Sequence, residues 1–385
     1  MRKPPPSETA SIAVVHDPSK SWGRRIISGV LEYAQQHTPW QITIIPVLID
    51  DAVPDFGNWR GDGIITRITG PETVKAMKKT GLPIVNVGMP RPIDAPFPRV
   101  SGNTEEIASM AADFFCARQY THFACVGEIR KGLVRSCLEA YCELLASRGH
   151  ACLLQDLEAP ARKIKAWLTS LPKPVALFVW GADAGRRIIE AARAAGLTVP
   201  HEVAVLGSDY DDLINEASFP AQSGIQLAPE RIGRAAAKVM DDILRGRKPG
   251  KRDLLLGPVG IVERASTDSV AVSNPAMAAV SRYVLAHALE PISIDDVIKA
   301  HPMARRSLER KFRETFGCTI IEQIRGIRVS NARRLLEHSD MPVTQIAEKC
   351  GFGSYNYMGR VFREAIGLSP SECRDRALRS RSRRA

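Results

Sequence analysis

Leu308-Glu-Arg-Lys-Phe-Arg-Glu-Thr-Phe-Gly317 is echoed fifty residues later by Met358-Gly-Arg-Val-Phe-Arg-Glu-Ala-Ile-Gly367. Arg310 recurs as Arg360, Phe312 as Phe362, Arg313 as Arg363, Glu314 as Glu364 and Gly317 as Gly367. A short repeat at such a period is one supersecondary unit used twice. The apolar residues fall at helical spacing. Each copy reads as the second helix of a helix-turn-helix, the element that enters a DNA groove.

Working outward, Ile294, Val297 and Ile298 make 293–300 the supporting helix of the first copy. His301-Pro302-Met303 is its turn, and the second helix covers 304–316 with Leu308, Phe312 and Phe316 inward. Arg306, Glu309 and Arg310 then share the opposite face, because positions three and four apart are neighbours on a helix. In the second copy, 343–350 is the supporting helix and Gly351-Phe352-Gly353 the turn. Ser354 is an N-cap for a helix over 355–365, which buries Met358 and Phe362 and exposes Asn356 and Arg360. Arginine suits bidentate bonds to guanine and asparagine to adenine. Arg313 and Arg363 come later on their helices and are placed on phosphates. One long helix, 320–338, joins the copies and sets the distance between the reading helices.

Charge agrees. From Pro275 onward there are 20 Lys and Arg against 12 Asp and Glu, which is +8 of the chain's net +11. A basic third on a near-neutral body points to a polyanion partner. The eight cysteines show no CxxC and no metal or redox spacing, so no metal or cofactor is expected and the thiols read as free in a reducing cytosol. The apolar core of a signal peptide is missing and no run approaches the ~18 apolar residues of a membrane span. A cytoplasmic protein with no membrane partner is expected.

Before this third, short apolar runs alternate with amphipathic helical runs. Strands are predicted at 11–15, 41–48, 63–66, 83–87, 122–126, 176–179 and 203–206; helical segments separate most of them, for example one with Ile26, Ile27, Val30, Leu31 and Ala34 at helical spacing and those at 105–118, 134–147, 185–195 and 229–245. This alternation means parallel, doubly wound sheets, and so many units imply two lobes. The predicted divisions are a disordered N-terminus at 1–10, an α/β domain at 11–265, a linker at 266–276, an all-α double helix-turn-helix domain at 277–376, and a basic disordered tail at 377–385.

The C-terminal third resembles the AraC-type DNA-binding domain. The match is carried by Leu308-Glu-Arg-Lys-Phe-Arg313, Gly317, Arg328, Ala332, Leu335-Leu336, Ile346-Ala347, Gly351-Phe352, Arg360-Val-Phe362, Gly367, Ser369-Pro370 and Arg374. The resemblance implies that Arg306, Glu309, Arg310, Asn356 and Arg360 face the bases. Pro302 stands where the family has a turn glycine, and Ala304 where it has a capping serine. The first 265 residues resemble the periplasmic-binding-protein-like effector domain of LacI-type repressors. Asp62-Gly-Ile-Ile65, Pro83-Ile-Val-Asn-Val-Gly88, Gly181-Ala-Asp183, Gly196-Leu-Thr-Val-Pro200, Val205-Leu-Gly-Ser-Asp209, Ile232-Gly233 and Val262-Glu-Arg-Ala-Ser-Thr267 carry that match.

Ligands of open parallel sheets bind beyond the carboxyl ends of the strands. His16 and Asp17 end the first strand, Trp22 and Arg25 open the next helix, and Asp183 and Asp209 follow later strands. Carboxylates, an arginine and an indole plane are what a monosaccharide such as a pentose needs. The resemblance favours Asp209 and Asp183 and places a ligand-binding arginine near Arg135, with Cys137 at the aligned position. Helix capping is the alternative role for Asp17 and Asp183, and core packing for Trp22. His16, Asp17 and Ser19 come with no GxSxG, P-loop or dinucleotide fingerprint, so no enzyme is expected. The expectation is an effector-controlled transcription regulator of a sugar catabolic operon, and the LacI-type resemblance implies a homodimer on operator half-sites. Activation through RNA polymerase follows from the AraC-type resemblance. The alternatives are a non-sugar effector, or a ligand-independent DNA binder whose first domain only dimerises.

Overall fold

The computed structural model describes residues 9–47, 59–68, 70–88, 95–130, 132–247, 253–268, 274–339 and 341–383. Strand β1 (Ser11–His16) is buried along almost its whole length, as a strand covered on both faces must be. It lies between β2 (Gln41–Pro46) and β3 (Gly63–Thr66). The sheet continues through β4 (Ile84–Asn86) and β5 (Arg99–Gly102) to β11 (Asp253–Leu256), in the order β11-β5-β4-β3-β1-β2, all parallel. Alternation along β1 divides the core. Ile12 and Val14 pack with Ile26 and Val30 of α1 (Ser21–His37) and Ile232 and Ala236 of α8 (Pro229–Leu244). Ala13 and Val15 pack on the opposite face with Val74 and Met77 of α2 (Pro71–Thr80). Each valine, isoleucine or methionine among them contributes roughly 1.5–3 kcal/mol on burial.

Helix α3 (Thr104–Ala117) carries the chain from the first compact unit into the second. There β6 (His122–Gly127), β7 (Cys152–Asp156), β8 (Val175–Val179), β9 (Val203–Gly207), β10 (Ser223–Gln226) and β12 (Gly260–Val262) form a sheet of order β12-β10-β9-β8-β6-β7. The pairs β10–β9, β9–β8, β8–β6 and β6–β7 are parallel. One face packs on α5 (Ala161–Ser170) and α6 (Ala182–Ala194) through Ile164, Leu168, Ile188 and Ile189. On the other, Phe178 of β8 meets Tyr141 of α4 (Gly132–Ser147), ring centroids 4.8 Å apart. A short helix, α7 (Asp212–Ala217), precedes β10.

Among the described residues from 274 onward there are seven helices: α9 (Pro275–His287), α10 (Ile294–Ala300), α11 (Arg305–Phe316), α12 (Ile320–His338), α13 (Val343–Lys349), α14 (Tyr355–Ile366) and α15 (Pro370–Arg383). Their cores are separate. Val297, Leu308, Phe312 and Phe316 pack with Ile320 and Ile324 from the first half of α12. Ile346, Ala347, Met358 and Phe362 pack with Val329, Ala332 and Leu336 from its second half.

The two-lobed fold class and the helical third agree with the sequence reading. Several details differ. The strands β5, β7, β10, β11 and β12 were not predicted; they are short, and β7, β11 and β12 are only partly buried, so their apolar patterning is weak. The linker begins later than 266. Ser266 and Thr267 are buried, Ser266 Oγ donates to the Val205 carbonyl, and Thr267 Oγ1 meets Ser223 Oγ at 2.6 Å, so both belong to the second lobe. The tail expected to be disordered from 377 continues as helix to Arg383. Residues 1–8, 269–273 and 384–385 of the predicted terminus, linker and tail lie outside the described residues.

Candidate functional site

The two reading helices are built by the same local rules with one difference. Gly317 and Gly367 close α11 and α14 at φ 70 and 76, the left-handed region in which a glycine carries no Cβ penalty. Ser354 caps α14, its Oγ accepting from the Tyr357 N–H at 3.2 Å, whereas Ala304 offers α11 no side-chain cap. After each glycine the next helix opens with a capping box: Thr319 with Glu322, and Ser369 with Glu372. Hydrogen bonds from Thr319 and Ser369 hold the two glutamates below the ordinary carboxylate range, helped by Arg313 in one copy and Arg363 in the other. Each of these arginines therefore stands close to the N-terminus of the following helix, a natural phosphate position.

All the base-reading candidates are at the surface. Arg306, Arg310, Asn356 and Arg360 are exposed and Glu309 half-exposed, while Leu308, Phe312, Met358 and Phe362 beneath them are buried. In the first copy Glu309 pairs with Arg305 at 3.2 Å and Arg310 with Glu314 at 3.1 Å. Such exposed pairs are worth only ~0.3–0.5 kcal/mol, less than the ~1–3 kcal/mol of a good bidentate base contact, so they do not hold the side chains away from a base. In the second copy the Arg360 guanidinium lies 5.4 Å from the Tyr357 ring centroid. Asn356, Gly359, Arg360 and Arg363 share a depression of about 390 Å³ with Ser369 and Pro370. Sequence spacing separated Arg360 from Arg363 by role, and the structure puts both on one surface.

In the first lobe, His16 ends β1 and is buried. Its Nδ1 accepts the Asp17 N–H at 2.9 Å, so the proton of the neutral ring is on Nε2, which is buried without a hydrogen-bond partner among the described residues. Burial, then the charge of Arg67, pushes its pKa down to about 4, so the ring is neutral at pH 7. Gly23 lets α1 come this close: a Cβ there would stand 1.8 Å from the Asp17 carbonyl oxygen and 2.7 Å from His16 Nδ1. Asp17 does not cap α1, whose N-cap is Lys20. Its carboxylate accepts from the Ser19 N–H at 2.9 Å and hydroxyl at 2.6 Å; burial raises its pKa, but these bonds outweigh that and leave it below the ordinary value. Trp22 packs against the core of α1 and α8, and Arg25 makes a bidentate pair with Glu230 at 2.5 and 3.0 Å. Both have structural partners within their own lobe.

In the second lobe, Asp209 follows β9. Its Oδ1 is buried without a partner among the described residues. Burial, then the Asp211 charge, pushes its carboxyl up to about 6 against hydrogen bonding at the Ala182 backbone. Asp183 is not the cap of α6, which is Gly181; it is exposed in the first turn and paired with Arg186 at 2.9 Å. Arg135 is exposed on α4, its Nε 3.4 Å from the Ile129 carbonyl, and Cys137 is buried. Sequence reasoning missed Gln222. Its fully buried amide has no partner for Oε1 or Nε2, and a Cβ on Gly185 or Gly207 would collide with it. No local pattern marks such a residue. Neither site gathers three metal-ligating side chains among the described residues, and no helix among them is long and apolar enough to cross a membrane.

Comparison with known proteins matches three stretches. Residues 11–103 match the XylR N-terminal domain, 112–267 a periplasmic binding protein-like domain, and 299–376 a helix-turn-helix domain. The xylose operon regulatory protein of Escherichia coli (strain K12) is 27% identical over 379 residues, covering 94% of this chain and 96% of that protein. That of Haemophilus influenzae is 25% identical over 380 residues, covering 94% and 97%. A solved structure of the xylose-binding transcription activator XylR superposes with a TM-score of 0.62 at 25% identity, over 95% of this chain and 98% of that one. The chain is a homologue of the xylose operon regulatory proteins, with a periplasmic-binding-protein-like domain followed by an AraC-type helix-turn-helix domain.

Proposed function

We propose that this protein is a transcription activator that binds operator DNA and responds to a monosaccharide, with the pentose xylose as the first candidate. The observation that carries the DNA half is the duplicated reader. Two helix-turn-helix units share α12, whose 19 residues span about 28 Å at 1.5 Å per residue. Arg306, Glu309, Arg310, Asn356 and Arg360 read bases, and Arg313 and Arg363 hold phosphates beside the next helix's N-terminus. The effector half rests on an orphaned group in each lobe taken by itself: the His16 Nε2–H donor in the first and the Asp209 Oδ1 acceptor in the second. A buried polar group left unpaired costs about 1–3 kcal/mol, and a sugar hydroxyl can satisfy either kind. Asp17, Asp183 and Arg135 are secondary candidates for contact; Trp22 and Arg25 position α1. The protein acts in the cytoplasm as a homodimer, contacts RNA polymerase, and is not an enzyme: bound sugar is recovered unchanged.

The test uses the full chain. Its preferred DNA is selected from a random pool, and affinity for it is compared with random DNA, with and without xylose. A ligand that binds only the folded state at a hundred times its Kd stabilises by about 2.7 kcal/mol, so xylose raises the Tm. Asp209→Ala abolishes that rise and leaves ligand-free DNA binding intact. Equal affinity for selected and random DNA would sink the reader, and a Tm unmoved by any pentose, hexose or uronic acid would sink the sugar sensor. Ligand affinity also depends on pH. Binding that prefers the Asp209 carboxylate releases a proton, so affinity falls as pH drops through about 6, and in Asp209→Asn this dependence disappears.

A further inference from the structure

Three cysteines that are distant in sequence meet on one face of the second sheet. Cys125 is on β6, Cys152 begins the neighbouring β7, and Cys142 is on α4. Cys152 pairs in register with Phe123, so Cys125, two residues further along β6, shares its face. Helix α4 covers that face: Cys125 Sγ is 3.9 Å from the carbonyl oxygen of Leu138, one turn before Cys142. Cys125 Sγ stands 3.5 Å from Cys142 Sγ and 3.9 Å from Cys152 Sγ, and all three lie within 4.8 Å of one another. Three thiolates at ~2.3 Å around one ion put their sulfurs ~4.0 Å apart. Two of the sulfur separations, 3.5 and 3.9 Å, and the 4.8 Å bound on the third bracket that value.

The donor set decides the ion. No histidine or carboxylate joins the group among the described residues. Soft thiolates select monovalent copper or zinc. Structural zinc takes four ligands, whereas three thiolates satisfy the trigonal coordination that monovalent copper accepts. Cys125 is buried and Cys142 and Cys152 half-buried, so the cluster is both shielded and reachable. Tyr141, the neighbour of Cys142 on α4, is fully buried with a hydroxyl that has no hydrogen-bond partner among the described residues. A phenol O–H donating to a metal-bound thiolate is the outer-layer support that such sites use.

We propose that Cys125, Cys142 and Cys152 form a three-thiolate site for monovalent copper in the second lobe. The ion enters as Cu(I) and remains Cu(I). Three Cu–S bonds form, the thiol protons pass to solvent, and no electron moves. None of the three cysteines is among the residues assigned to DNA or to the sugar, so the proposal does not depend on either assignment.

The experiment titrates the full, reduced chain anaerobically with Cu(I) against the chelator bathocuproine disulfonate. One equivalent is withheld from the chelator, and X-ray absorption shows a sulfur-only shell. Cys142→Ser and Cys152→Ser, at half-buried positions, each weaken retention at least tenfold with an unchanged circular dichroism spectrum. Cys318→Ser, in the helical third, retains copper like the parent. Copper lost wholly to the chelator, or retained equally by Cys142→Ser and Cys152→Ser, overturns the proposal. One equivalent of zinc bound in preference to Cu(I) overturns the assignment of the ion. A chain isolated two hydrogens lighter, with Cys125 and Cys142 unreactive to alkylation, makes the cluster a disulfide pair and overturns it as well.

Discussion

The two helix-turn-helix units have the same helical period, the same glycine stop and the same capping box after it, yet their polar faces are held differently. In the first, α11 starts without a side-chain cap, and its reading face is tied into the pairs Arg305–Glu309 and Arg310–Glu314. In the second, Ser354 caps α14, and Arg360 rests over the Tyr357 ring while Tyr357 Oη accepts from Arg325 of α12. The difference shows that the same residue of a repeat can be held in two ways: Arg310 pairs with Glu314, whereas Arg360 lies over Tyr357, a ring that has Ser307 at the equivalent position of the first copy. Phe312 and Phe362 occupy equivalent, fully buried positions.

The largest test of this comparison is in the cores. Phe362→Ala costs about 3–5 kcal/mol, and because the two cores divide along α12, hydrogen exchange loses protection in α13 and α14 while α10 and α11 keep theirs. Phe312→Ala gives the mirror pattern. Loss of protection throughout both units in either variant would mean one cooperative unit. Next comes Arg360→Ala, which weakens binding to the selected site by roughly 1–3 kcal/mol and relaxes base preference at one position. Arg310→Ala has a smaller effect by the ~0.3–0.5 kcal/mol that its pair with Glu314 already supplied. If both variants weaken selected and random DNA alike, these arginines hold phosphates only.

The caps give a reciprocal pair. Ser354→Ala lowers stability by about 1 kcal/mol, and Ala304→Ser raises it by up to a similar amount, read as shifts in denaturant midpoint at constant slope. A stabilising Ser354→Ala would show that the cap is not the source of the difference. Smallest is Gly359→Ala within α14. A Cβ there meets nothing within 4 Å, so the variant gains roughly 0.5–1 kcal/mol from helix propensity. The same methyl projects into the depression shared by Asn356 and Arg360, so a gain in stability together with weaker DNA binding would mark that depression as contact surface.

How much of this was legible in the sequence depends on the range of the interaction. The helix cores at Leu308, Phe312, Met358 and Phe362, the Ser354 cap and the uncapped Ala304 all follow from residues within a turn or two of each other. The central strands were legible for a related reason: strands buried on both faces are continuous apolar runs. The edge strands β7 and β11 were not, because half-exposed strands of four or five residues carry no comparable pattern. At the effector candidates the sequence placed His16 and Asp209 at strand ends. Burial then distinguished them from Asp183, which pairs on the surface, and from Arg25, which is held by a glutamate 205 residues away.

By itself, then, the sequence determined the repeat, the alternation of strand and helix, the basic reader and the helix caps, because helical period, capping and turn chemistry act between near neighbours. Only the tertiary structure decided that Ser266 and Thr267 belong to the second lobe, that Gln222 is an orphaned buried amide, and that Cys125, Cys142 and Cys152 share one face. Those results depend on which strands pair and which helix covers them, and spacing along the chain does not encode that.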